Sequence, residues 1–248
     1  MTRVFIDQEL GLDESVIITG EDAHYLLRVV RVQPGEGLTV VDTVGRAYEV
    51  VVAACTPEQV ETRVVAALET GADPALQLSL YAAILKGKHF DWVLQKGTEL
   101  GVSRFVPIVT ERTIARPPKD RIEDRLERWR KIVSEACRQC GRTRPPEVTA
   151  PLDWSQAVAD WHSRGEPGLL PYEALAGEEA GDLKPLLRDL NHPGRVSVFV
   201  GPEGGFSLRE VETARAEGLT CVSLGPRILR AETASMYAAA VVLYELTR

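Results

Sequence analysis

The 248 residues include 29 Lys/Arg against 36 Asp/Glu, a formal net charge of −7, with 44% hydrophobic residues and 4 cysteines. A chain of this size and ordinary composition buries enough apolar surface for one large or two smaller globular domains, and no apolar run is long enough to span a bilayer. The acidic average argues against a polyanionic partner unless basic residues are concentrated locally, and with no apolar leader in "MTRVFIDQEL" the cysteines are expected to be reduced thiols of a cytoplasmic protein.

The first 70 residues read as a small β-rich domain. "RVFID", "SVIIT", "GLTVVD", "AYEVVVAAC" and "VETRVVAAL" are short β-branched runs bounded by Gly, Pro and Asp. Between the second and third, "GEDAHYLLRVVRV" has apolar residues at helical spacing, with Thr19 as a cap. "ETGADPA" (69–75) is polar and carries Gly and Pro, so it reads as a linker.

From residue 71 the rhythm becomes strand, helix, strand. "LQLSLYAAIL" reads as a buried strand, "KHFDWVLQKGTELG" as a helix stopped by Gly101, and "RFVPIVT" as a strand. A long amphipathic helix is expected over about 121–141. It is followed by "WSQAVADWHS" (helix), "GLLPY" (strand end), "DLKPLLRDL" (short helix), "RVSVFV" (strand), "SLREVETARAEG" (helix), "TCVSLG" (strand) and "AETASMYAAAVVLYEL" (helix). Such alternation implies a mainly parallel sheet covered on both faces, with ligands at the carboxyl ends of its strands. Cys137 and Cys140 form a C-x-x-C inside the long helix, without a second pair, and are read as idle rather than as a zinc or redox centre.

Charge is unevenly spread. Residues 112–144 hold 11 Lys/Arg against 5 Asp/Glu, whereas residues 1–70 hold 5 against 12. The basic block fits either a solvated helix face or the footprint of a phosphate backbone.

Two loops carry the chemistry. "FVGPEGGFS" (199–207) sits between a strand and a helix but lacks the lysine and hydroxyl of a polyphosphate loop, and its glycines miss the dinucleotide spacing. Gly201, Gly204 and Gly205 permit close backbone approach to a ligand, so a side chain at Gly204 or Gly205 is expected to obstruct it. Glu203 would repel a phosphate. Taken alone, the loop also fits a plain strand–helix turn. "SLGPRILRAETA" (223–234) repeats the Gly-Pro after a strand and sets Arg230 and Glu232 at a helix start. Two such loops on one rim can clasp a flat heterocycle through main-chain hydrogen bonds. S-adenosylmethionine fits: it offers an adenine, carries no phosphate, and has a sulfonium compatible with Glu203.

Nearly end to end, "RVFID", "DAHYLLRVVRVQPGE", "KGKHFDWVLQKGTELGV", "PIVTERT", "RWRKIVSEACRQCGR", "FVGPEGGFS" and "LGPRILRAETA" appear in one order. In this the chain resembles the bacterial 16S ribosomal RNA uridine N3-methyltransferases, in the SPOUT class of knotted methyltransferases. The resemblance implies an α/β fold whose parallel sheet ends in a C-terminal trefoil knot (residues 71–248), preceded by a small PUA-like β-barrel that grips RNA (residues 1–70). It implies a homodimer acting on 16S rRNA, within the small ribosomal subunit or its precursor, with S-adenosylmethionine as cofactor and no metal. Carried over position by position, the cofactor loops are Leu170, Pro171 and Glu173; Val200, Gly201, Pro202, Glu203, Gly204 and Gly205; and Leu224, Gly225, Ile228, Leu229, Thr233 and Ala234. Arg230 would steady charge on the uracil oxygens. Glu232 would accept the N3 proton, or hold Arg230, or serve only as a helix N-terminal carboxylate. His24, Arg28 and Arg31 in the first domain, with Lys86, Lys88, Arg112, Arg116, Arg138, Arg142 and Arg144, are the candidate RNA contacts. A SPOUT enzyme acting on tRNA and a non-catalytic RNA-binding protein remain as alternatives.

Overall fold

The computed structural model describes residues 2–69, 73–172, 181–190 and 193–247. The chain divides into two compact units: Met1–Asp73 with Cys137–Arg144, and Pro74–Ala136 with Pro145–Arg248.

The first unit contains β1 (Arg3–Phe5), β2 (Ser15–Ile18), α1 (Gly20–His24), β3 (Gly37–Val41), β4 (Ala47–Cys55) and β5 (Val60–Leu68). Its five-stranded sheet runs β1-β3-β4-β5-β2, antiparallel except where β1 meets β3. Two register shifts between β4 and β5, at Glu49/Val50 and Val52/Ala54, tighten the local twist. Inward residues such as Val16, Leu38, Val40, Val50, Val52, Val60 and Val64 form its core around Leu26. The expected continuous helix after residue 20 is instead one α turn followed by a π-helical turn, Tyr25–Val30. Arg31 then ends it in left-handed geometry at φ 60°. Thr19 occupies the cap position by its backbone, but its side chain makes no capping hydrogen bond.

Residues 137–144 join this unit largely through Asp73, with Arg138 also paired to Asp22. Asp73 accepts hydrogen bonds from Thr143 Oγ1 (2.6 Å), Thr143 N (3.2 Å) and Arg142 Nε (3.2 Å). Burial alone would raise the Asp73 pKa. The hydrogen bonds from Thr143 and Arg142 outweigh it and hold the carboxyl below its ordinary 3.8. The resulting stabilisation is present above that ordinary value and is lost as pH falls through the lower, folded one. Asp73→Ala would remove the carboxylate to which the buried Arg142 guanidinium and Thr143 donate, so urea unfolding is expected to report a loss of about 3 kcal/mol. A loss below ~0.5 kcal/mol, the ordinary surface effect, would deny this carboxylate its role.

The second unit contains β6 (Gln77–Ala83), α2 (His89–Leu100), β7 (Val102–Val109), α3 (Ile122–Cys140, whose last turn belongs to the first unit), β8 (Glu147–Val148), β9 (Leu152–Asp153), α4 (Trp154–Arg164), β10 (Gly168–Pro171), β11 (Gly181–Asp182), α5 (Leu183–Asp189), β12 (Arg195–Val200), α6 (Leu208–Ala216), β13 (Thr220–Ser223) and α7 (Ala231–Leu246). Its sheet runs β11-β13-β10-β12-β6-β7-β8, with β9 also on β7, and every pairing is parallel. This order is consistent with the knot that the resemblance implies. The period of two sorts the sheet into faces. Leu78, Leu80, Val196 and Val198 pack with α2, α3, α5 and α7, while Tyr81, Ala83 and Phe199 pack with α4 and α6. Burial on both faces is why these strands read as continuous apolar runs.

Within the C-x-x-C, Cys137 is buried, and burial pushes its thiol up to about 12, which keeps it protonated and unreactive. Among the described residues no group of His, Cys, Asp and Glu could hold a metal ion, and no helix is long and apolar enough to cross a membrane.

Candidate active site

Strands β13, β10, β12 and β6 lie side by side in one direction, so the loops that follow them open on a common rim. The loops after β6, β12 and β13, with the end of β10, line a cavity of about 1060 Å³. That volume lies at the upper end for small-molecule sites.

The loop after β12 is held on several sides. A Cβ at Gly201 would meet Phe206 N and Cδ2 at 3.2 Å, closer than side chains normally sit. Gly205 has φ +67°, and its N–H donates to Pro202 O at 2.9 Å, closing a turn that an L side chain would strain. Ser207 and Glu210 then form a capping box that starts α6. Glu210 is buried; one of its oxygens accepts from Ser207 N (2.8 Å) and the other from Glu111 N (2.7 Å). Glu203 accepts from Lys86 N at 3.0 Å, and Arg112 Nη1 donates to Gly204 O at 2.8 Å. The loop is thus bonded to the segments that follow both β6 and β7.

The loop after β13 is more open. Gly225 takes φ +102°, and Ile228 is 88% exposed. Arg230 is the N-cap of α7 but makes no side-chain cap, and its side chain is exposed on the cavity wall. Two residues on, Glu232 is buried on the same wall, its Oε1 3.3 Å from Nδ1 of His89, the first residue of α2. The wall therefore mixes cations (Lys86, Arg227, Arg230) with carboxylates (Glu203, Glu232) and presents exposed backbone at its glycines.

Of the residues expected to hold a cofactor, the cavity brings together Pro171, Val200, Gly201, Pro202, Glu203, Gly205, Leu224, Gly225, Ile228, Leu229 and Ala234, along with Arg230 and Glu232. Leu170 is buried in β10, and Thr233 is exposed on α7; neither lines it. Glu173 lies outside the described residues. Gly204 departs from its expected role: it faces Arg112, and a Cβ there would meet that side chain at an ordinary 3.4 Å. His89, Tyr172, Phe206 and Arg227 also line the cavity and were not anticipated. "KGKH" after the β6 strand was the available signal, since any loop at that rim is a candidate.

The expected RNA contacts divide in two. His24, Arg28 and Arg31 are exposed on the first unit, near the exposed Tyr25 and Val29, and Lys86, Lys88 and Arg112 are exposed on the second. Arg144 is exposed as well. Arg142 does not suit a phosphate: it is 4% exposed and committed to Asp73. Arg138 is half-buried against Asp22 at 2.8 Å. Arg116 spends its donors on the carbonyls of Thr110, Glu111 and Thr113, stapling the loop after β7. Much of the basic block is therefore internal bonding.

Residues 71–243 match an RNA methyltransferase domain, and residues 18–65 match a PUA domain of RNA methyltransferases. The chain is 35% identical over 243 residues to the ribosomal RNA small subunit methyltransferase E of Synechocystis, covering 97% of this chain and 76% of that protein. The protein of the same name from Aquifex aeolicus is 32% identical over 234 residues, covering 94% and 95%. The crystal structure of a ribosomal RNA small subunit methyltransferase E from Neisseria gonorrhoeae, bound to S-adenosyl methionine, superposes with a TM-score of 0.86 at 32% identity, covering 97% and 96%.

Proposed function

Because the chain belongs to the ribosomal RNA small subunit methyltransferase E family, we propose that it binds S-adenosylmethionine in this cavity and methylates N3 of a uridine in 16S ribosomal RNA, in the cytoplasm. The observation that carries this reading is the single cavity formed by the loops of adjacent parallel strands, with Arg230 on its wall.

The residues present suit this cofactor. Exposed backbone around Gly201, Gly205 and Gly225 can meet the edges of an adenine, with Pro171, Leu224, Ile228 and Leu229 against its faces. Glu203 and Glu232 make the wall hospitable to a cationic sulfonium. When bound, the cofactor supplies an electrophilic methyl group. The chain must do the rest. Uridine N3 lies on the pairing edge, so the base has to leave its pair to enter the cavity. As N3 loses its proton, charge spreads onto O2 and O4, and the Arg230 guanidinium can stabilise it there. Glu232, buried behind His89, acts as a positioning group.

The test is mass spectrometry of 16S rRNA from cells lacking the protein and from cells in which it is restored. 3-Methyluridine should vanish and return. A mark found on tRNA instead, or no mark together with no cofactor binding in calorimetry, would replace this reading with a tRNA enzyme or a plain RNA binder.

RNA affinity should fall steeply with salt, because bound phosphates release counter-ions. Arg28→Ala and Lys88→Ala are each expected to flatten the slope of log affinity against log salt by ~0.7–0.9 per lost contact. An unchanged slope would return these two cations to plain solvation. A C-terminal trefoil knot and a homodimer belong to the same reading. The apolar α7, with Tyr237 and Tyr244 exposed, supports the dimer, and light scattering on the purified protein tests it.

A further inference from the structure

Methylation at N3 requires a group that removes the N3 proton, and three side chains on the cavity wall have the chemistry for it: Glu203, Glu232 and His89. Glu203 already accepts from Lys86 N at 3.0 Å, so one of its oxygens is committed to tying its loop to the segment after β6. The Glu232 side chain is only 9% exposed and its Oε1 is turned to the His89 ring. His89 differs from both. Its side chain is 43% exposed, yet its Nδ1 is fully buried. The exposure therefore belongs to the opposite edge of the ring, which carries Nε2.

Nδ1 lies 3.3 Å from Glu232 Oε1 and, buried, makes no hydrogen bond there or elsewhere. A small rotation of the ring makes the bond, and the edge contact with Trp92, at a centroid distance of 5.7 Å, fixes the side on which the ring stands. A carboxylate accepts only, so with that bond made Nδ1 carries the hydrogen and Nε2 keeps its lone pair, on a ring that lines the cavity. The remaining charges around the cavity are Lys86, Arg227 and Arg230, none of which accepts a proton as a cation.

Resting on the methyl-transfer reading above, we infer that His89 is the proton acceptor of the reaction and that Glu232 is the group that sets its tautomer. The N3–H proton passes to Nε2, the N3 lone pair forms the new bond to the methyl carbon, and the carbon–sulfur bond breaks with its electrons going to sulfur. The imidazolium so formed keeps the Glu232 carboxylate as its counter-ion.

Two measurements test this. In the protein without cofactor or RNA, ¹⁵N–¹H spectra of the His89 ring should report the Nδ1–H tautomer, and Glu232→Gln should abolish that preference. An Nε2–H tautomer in the wild type would overturn the assignment. In single-turnover methyl transfer with saturating cofactor, His89→Asn should lose ~10²–10⁴-fold at neutral pH. That loss should shrink as pH rises and the uracil ionises unaided, and cofactor affinity should stay near the wild-type value. A rate unchanged at every pH, in a variant shown to be folded by its circular dichroism, would overturn it. If His89→Asn does not fold, His89→Gln takes its place. Should the wild type leave no 3-methyluridine, the methylation reading itself falls, an outcome distinct from a variant that transfers normally.

Discussion

Arg230→Ala is expected to lower single-turnover methyl transfer by ~10²–10³-fold while cofactor affinity stays within a few-fold of wild type. A guanidinium on the cavity wall meets little charge in the neutral uracil and a full negative charge in its anion. Its contribution therefore appears mainly as the N3 proton leaves. The fold has little stake in it. Arg230 caps α7 with its backbone, Ala234 N bonding to its carbonyl at 2.8 Å, while its side chain makes no cap. Rapid-quench assays on an RNA fragment bearing the target uridine give the rate, and calorimetry gives the affinity. A near-normal rate in a folded Arg230→Ala protein would remove this residue from the chemistry.

The second large effect is expected on binding. Gly205→Val should weaken S-adenosylmethionine at least ~100-fold. A β-branched residue at φ +67° is a strained outlier, costing about 1–2 kcal/mol in the left-handed region, and the turn closed by the Gly205–Pro202 bond would open to relieve it. Gly204→Ala is the matched control. Its new methyl would meet only the flexible Arg112 side chain, at 3.4 Å and beyond, so affinity should change by less than threefold or so. Equal losses in both variants would mean that neither backbone geometry nor orientation at this loop matters.

That contrast also measures what the sequence discloses. Both Gly-Pro loops were legible because each follows a β-branched run and precedes a helical one, and the strand–helix alternation puts them on one rim. Which of the three glycines line the cavity was not, because it depends on φ and on Arg112, a residue of another loop. Charge misled for the same reason. Arg142 reads as one cation among many until Asp73, in the supposed linker, turns out to consume it. The π-helical turn at Tyr25–Val30 leaves no mark, since its apolar spacing over so short a run is that of an α-helix. "KGKH" could have put His89 on the rim but not beside Glu232, which starts another helix that no spacing rule joins to it.

The buried carboxylate of Glu210 has a consequence of its own. One oxygen holds the amide of Ser207, at the end of the loop after β12, and the other holds the amide of Glu111, in the loop after β7. Neither hydrogen can meet solvent unless that carboxylate swings away, so the two should exchange with deuterium as a pair, with the same protection factor. Glu210→Gln, able to accept through one atom only, would split the pair and leave one of the two amides to exchange early.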